Sequence, residues 1–185
     1  MAKKTPDAIA LLIGDHRKVA GLFKKFEKAR GAGKAKLARE ICLELSVHTM
    51  IEETLFYPAL RGKAEEDTLD EAHVEHDSAK VIIADVLASR VGSDFYDAKI
   101  KVLSELIKHH VKEEEQRSEG LFAQARKAGL DMEDLGERLM RRKQELLEEF
   151  QDGNNLPTPE TRSYTGHELQ QGKPVDAANA IDTAD

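Results

Sequence analysis

The sequence predicts an all-α fold: an up-down-up-down four-helix bundle with an additional C-terminal helix and a disordered tail. Three observations carry this. Apolar residues recur at helical spacing through most of the chain, no segment shows the two-residue alternation of a strand, and short turns separate four long periodic stretches. At 185 residues, 40% of them hydrophobic, the chain can bury one good core but hardly two. The expected division is a helical domain over residues 1–150, with the candidate site inside 5–127, and a tail over 151–185.

The first helix is expected to start near Thr5-Pro6-Asp7, where Thr can cap and Pro suits the first turn. Its stripe is Ile9, Leu12, Val19, Phe23 and Phe26, and it ends before Gly31-Ala32-Gly33. The second carries Leu37, Ile41, Leu45, Leu55 and Ala59 and stops around Arg61-Gly62. The third spans about Glu65 to Arg90, with Leu69, Ala79, Ile83 and Leu87 on one face. Val91-Gly92-Ser93-Asp94 separates it from a fourth, read as continuous from about Phe95 to Lys127 and ended by Gly129. A shorter amphipathic helix follows from Asp131 to about Phe150. Beyond Asp152 prolines and Gly153-Asn154-Asn155 appear and apolar residues thin out, the composition of an unpacked segment.

Charge and cysteine usage exclude several classes. The 28 basic against 35 acidic residues give a net charge of −7, which argues against a nucleic-acid binder needing a basic face. Cys42 is the only cysteine, so no internal disulfide can form and a reducing compartment is expected. The apolar run Ile9–Ile13 is too short for a signal peptide and no stretch can span a bilayer, so a soluble cytoplasmic protein without membrane partners is expected.

The histidines carry the functional signal. His16, His48, His76 and His110 each fall on the apolar stripe of a different helix. Glu52 follows His48 by four residues and Glu114 follows His110 by four, which places each pair on one helical face about 5–6 Å apart at Cβ. An internal repeat underlies them. His48-x-x-x-Glu52-Glu53 recurs as His110-x-x-x-Glu114-Glu115, and Asp15-His16 recurs as Glu75-His76. Two such hairpins around a pseudo-two-fold axis would supply a matched ligand set to each of two metal ions.

One histidine on an apolar stripe is ordinarily a satisfied core residue. Four imidazoles and two carboxylates in one bundle core are different, because without a cation each group costs about 1–3 kcal/mol to bury. Nitrogen and oxygen donors without thiolate suit iron or manganese better than structural zinc, and bridging carboxylates are the usual means of holding two ions in a helical bundle.

These residues resemble the hemerythrin-like HHE cation-binding domain family, on Asp15-His16, His48-x-x-x-Glu52-Glu53, Glu75-His76 and His109 to Glu115, which together span the first 125 residues or so. The resemblance implies a di-iron cofactor. His16, His48, His76 and His110 would be terminal ligands, and Glu52 and Glu114 bridging carboxylates. The chain departs from the oxygen-carrying members, which have a further histidine four residues before the one matching His76. That position here is Ala72, and His73, three residues before His76, is a possible replacement ligand.

Three functions are compatible with this reading. The leading one is binding of O2 or a related small ligand, NO or peroxide, in sensing, storage or detoxification. The second is an enzyme with catalase-like or ferroxidase activity. The third is a helical interaction module without metal, with protein partners open. Other features read as bland. Tyr57 lies about half a turn from His48, which suggests packing between helices. Cys42 reads as a small buried hydrophobe, His109 as a surface residue or one behind the ligands, His167 as a solvated tail residue, and the charge run Arg138 to Glu149 as a solvated helix face.

Overall fold

The computed structural model describes residues 5–150, 153 and 155–164, and among them all regular structure is helical. The elements are α1 (Ala8–Lys28), α2 (Ala32–Ile51), a π-helical turn (Glu52–Phe56), α3 (Tyr57–Leu60), α4 (Glu66–Ala88), α5 (Tyr96–Glu114), α6 (Leu121–Lys127) and α7 (Met132–Glu149). No helix among these residues is long and apolar enough to cross a membrane.

Local chemistry explains where these helices differ from the sequence expectation. The α1 cap is Asp7 rather than Thr5, because the Asp7 carboxylate accepts from the Ala10 N–H at 2.8 Å. The second helix is not uniform. Pro58 has no N–H to donate and sits in the first turn of α3, and just before it the helix widens so that the Tyr57 N–H bonds to the Glu52 carbonyl, five residues back. The fourth helix stops at Glu114 instead of running on to Lys127. The chain turns back there so tightly that a Cβ on Gly120 would lie 2.4 Å from the Glu113 carbonyl oxygen, and only glycine fits. In α4, Val86 rather than Leu87 takes the core position, and Leu87 is exposed.

Helix α1 packs on α2 and α5, α4 packs on α2 and α5, and α7 lies across α1 and α2. The interior is divided lengthwise. One apolar cluster contains Leu12, Ile51, Phe56, Leu69, Leu121 and Leu139, and the other contains Val19, Phe26, Ile41, Ile83, Ile100 and Leu103. The candidate ligand residues lie between them, His16 between Leu12 and Val19 on α1 and His76 between Ala72 and Ala79 on α4. Cys42 is fully buried in the second cluster, and burial pushes its thiol up to about 12.

Residues 155–164 correct the expectation of an unpacked tail over their own length. They form a strap without periodicity, in which the backbone N–H groups of Arg162 and Ser163 and the Ser163 hydroxyl all donate to Asp77 Oδ2 at 2.7 Å. His167 and the rest of the tail lie outside the described residues.

Close approach at Gly136 seats α7 on the start of α1. A Cβ there would lie 2.5 Å from the Pro6 carbonyl oxygen and 2.7 Å from the Ala8 nitrogen, whereas one at Gly21, within α1, meets nothing. Gly136→Ala is expected to lower unfolding free energy by about 1–3 kcal/mol. Gly21→Ala should raise it by about 0.5–1 kcal/mol. Urea titration of the two variants beside wild type checks this, and equal midpoints would refute the docking of α7.

Candidate metal centre

Four helices each deliver one imidazole to the polar layer. His16 comes from α1, His48 from α2, His76 from α4 and His110 from α5, and all four are buried. Glu52 opens the π-turn and is fully buried, and Glu114 closes α5 at 2% exposure. Their ligating atoms converge in two groups: His16, His48, Glu52 and Glu114 in one, and Glu52, His76 and His110 in the other, the atoms of each lying within 4.8 Å of one another.

The two carboxylates straddle the groups. Glu52 Oε2 lies 3.1 Å from His48 Nε2 and 3.4 Å from His76 Nε2. Glu114 Oε2 lies 3.4 Å from His16 Nε2 and 3.5 Å from His110 Nε2. Within each group the paired imidazoles turn their Nε2 atoms toward one another, 3.2 Å apart for His16 and His48 and 3.1 Å for His76 and His110.

The other face of each ring meets a carboxylate. His16 Nδ1 lies 2.8 Å from Glu115 Oε1, His76 Nδ1 3.1 Å from Glu53 Oε1, His110 Nδ1 2.8 Å from Glu75 Oε2 and His48 Nδ1 3.5 Å from Asp15 Oδ2. The pseudo-two-fold repeat is visible in this pairing. Asp15 and Glu75 hold the imidazole of their own hairpin, while Glu53 and Glu115 each reach across to the first helix of the other. A carboxylate at Nδ1 fixes the tautomer and leaves the Nε2 lone pair free for a cation.

Burial opposes charge on His48, His76 and Glu52, and these three groups oppose burial together. It disfavours protonation of His48, but the Glu52 carboxylate and Asp15 outweigh it and raise His48 to about 10. His76 is likewise disfavoured by burial and raised to about 9 by Glu52 and Glu53. Burial resists ionisation of Glu52, yet His48 and His76 hold it well below the usual carboxylate range. Even so, Glu52 Oε1 and Glu114 Oε2 are buried without a hydrogen-bond partner. Two orphaned carboxylate oxygens among four inward-facing Nε2 atoms fit a cation cluster, which would satisfy all of them.

Tyr57 is the residue that sequence reasoning missed. Its fully buried hydroxyl donates to Glu114 Oε1 at 2.9 Å and lies 3.3 Å from His76 Nε2, with its ring stacked on that imidazole. Burial and the Glu114 and Glu52 carboxylates push the phenol well above its ordinary value, so it stays protonated. The π-turn explains the error, because its wide turn absorbs one residue and brings Tyr57 onto the face of Glu52. His73 does not join either group and stands half-buried, edge-on to the Tyr57 ring. His109 is exposed. The charged face of α7 is not wholly solvated, since Lys143 pairs with Asp15. Phe122 of α6 stacks on His16.

The family profile described as Hemerythrin HHE cation binding domain matches residues 7–121. No curated protein sequence matches the chain. Among solved structures, a hemerythrin HHE cation binding domain-containing protein from Mycobacterium kansasii superposes with a TM-score of 0.66 at 21% identity, covering 82% of this chain and 99% of that one.

In the cation-free protein His48 and His76 carry protons at pH 7 that a metal must displace. Cation uptake is expected to release about two protons per chain, measured by calorimetry in buffers of different ionisation enthalpy. Absence of proton release would contradict the site. Both folded values lie above the ordinary 6.5. Their contribution to stability is therefore complete below that pH and is lost as pH rises through about 9 and 10. The melting temperature of the cation-free protein should fall over that interval.

Proposed function

This chain belongs to the hemerythrin HHE cation-binding family, and from that premise we propose that its core holds a non-haem di-iron centre that binds O2 or a related small ligand, NO or peroxide. The observation that carries the proposal is the pair of ligand groups sharing Glu52, with Glu114 spanning the same gap. His16 and His48 would hold one ion, His76 and His110 the other, and Glu52 and Glu114 would bridge them. The ring of contacts α1–α2–α4–α5 supports an up-down-up-down order for the four long helices. The single buried cysteine and the redox-active metal suit a reducing cytoplasm.

An iron pair supplies one-electron redox change and coordination positions for a small exogenous ligand. The chain's own residues do the rest. The carboxylates at Nδ1 of His16, His76 and His110 keep those imidazoles aimed inward, and Phe122 packs on the His16 ring with Phe56 edge-on behind it. Tyr57 holds a proton 2.9 Å from Glu114 Oε1, placed to donate to an anionic ligand beside it. That buried donor also favours a second reading, turnover of peroxide or oxidation of Fe(II), since protons must be delivered where oxygen is reduced.

Tag-free protein grown with ample iron, analysed for metal and then assayed for NO binding and peroxide consumption, tests both readings. Zinc alone, or no metal, would refute the di-iron proposal, and peroxide turnover above that of free iron would select the enzyme. Glu52→Ala and Glu114→Ala should each reduce iron below about one atom per chain, because the two cations then repel with less screening in the core. His48→Ala should retain about one, and His73→Ala should change little. Tyr57→Phe is expected to keep its iron while altering the rate of NO or peroxide reaction.

A further inference from the structure

A third group of ligating atoms lies at the surface, outside the buried layer. Glu75, His109 and Glu113 present donors within 4.8 Å of one another, with His109 Nε2 3.1 Å from Glu113 Oε1 and 3.4 Å from Glu75 Oε1. Glu71 stands one helical turn before Glu75 on α4. The His109 side chain is 59% exposed and that of Glu113 40%. Among the described residues no lysine or arginine pairs with Glu71, Glu75 or Glu113; Glu75 meets the imidazoles of His109 and His110, and Glu113 that of His109.

The cluster is joined to the core. A crevice of about 20 Å³, wide enough for a single small ion or water, is lined by Thr68, Glu71, Glu75 and Glu113 on the outside and by His110 and Glu114 within. At its inner end Glu114 is 2% exposed, and its Oε2, without a hydrogen-bond partner, faces His16 Nε2 and His110 Nε2 in the core. Glu75 belongs to both places, with Oε1 toward His109 and Oε2 against His110 Nδ1.

We propose that Glu75, His109 and Glu113, with Glu71 beside them, form a capture site for a divalent transition-metal ion, which passes from there along the crevice to His110 and Glu114. The donor set is one imidazole and open carboxylates, which suits Fe(II) or Mn(II). Because the groups are exposed and few, the ion is held weakly and can leave inward. The proposal rests on the reading of the core as a metal centre.

Anaerobic Fe(II) uptake by metal-free protein tests it, followed by stopped flow, with Mn(II) titration by electron paramagnetic resonance as the second readout. Wild type should bind one weak Mn(II) beyond those of the core. His109→Ala and Glu113→Gln should lose that ion and fill the core about tenfold more slowly, to the same final iron content. Glu105→Gln, an exposed acid elsewhere on α5, should fill at the wild-type rate. If the two variants keep the weak ion, or fill the core as fast as wild type, the capture site is wrong. If wild type binds the weak ion yet takes no iron inward, the core reading and the passage fail together, while the surface site alone survives.

Discussion

Four imidazoles and two carboxylates are buried between two apolar clusters, and the rest of the molecule is arranged around satisfying them. Each uncompensated polar group in such a layer costs about 1–3 kcal/mol. The protein meets this cost from both sides. Outward, His16, His76 and His110 are each hydrogen-bonded to a carboxylate that orients the ring before any ion arrives, while His48 Nδ1 lies 3.5 Å from Asp15 Oδ2 without a hydrogen bond. Inward, the Nε2 atoms and two carboxylate oxygens are left facing one another. In the cation-free chain, protons on His48 and His76 bind this arrangement together, so proton and metal compete for one set of lone pairs.

The outward supports are unequal in a regular way. Asp15 is tied to Lys143 of α7, and Glu53 to Lys80 at 2.7 Å and to Arg162 of the strap at 2.6 Å. Glu75 and Glu115 have no lysine or arginine partner among the described residues. A carboxylate shared with a cation draws less on the imidazole proton, so its histidine is the weaker electron donor. Each ligand group contains one histidine of either kind, His48 with His16 and His76 with His110. The two ligand groups are thus balanced although the fold around them, with α7 on the first hairpin and the strap reaching from Asp77 to Glu53 across both, is not symmetric.

That the candidate ligand residues meet in the core was legible because their signal is local: a histidine on an apolar stripe with a glutamate one turn on, occurring twice. The supporting residues were only half legible. Asp15 and Glu75 showed as parts of the repeat, but that each meets the second-helix histidine of its hairpin is a tertiary fact. Glu53 and Glu115 lie about 100° off the ligand face and look idle on their own helix. They serve the imidazole of the other hairpin, which no single-helix projection reveals. Tyr57 was misplaced because a helical wheel assumes 3.6 residues per turn and the π-turn breaks that count. The strap was missed for a different reason, since it is held by hydrogen bonds to one buried aspartate and carries no periodicity. The break between α5 and α6 depends on a backbone approach at Gly120 that one glycine in a polar stretch does not announce.

The bond between His16 and Glu115 joins residues 99 positions apart, and this separation has a consequence for how the chain is made. A nascent chain that has emerged only through the first hairpin carries His16, His48 and Glu52 but neither Glu114 nor Glu115, so His16 has no support behind it. The first half-site cannot be completed until the end of α5 has left the ribosome and the reversal at Gly120 has brought α6 over it. If the core holds metal as proposed, synthesis order thus delays its tight capture until the second hairpin has emerged and folded against the first.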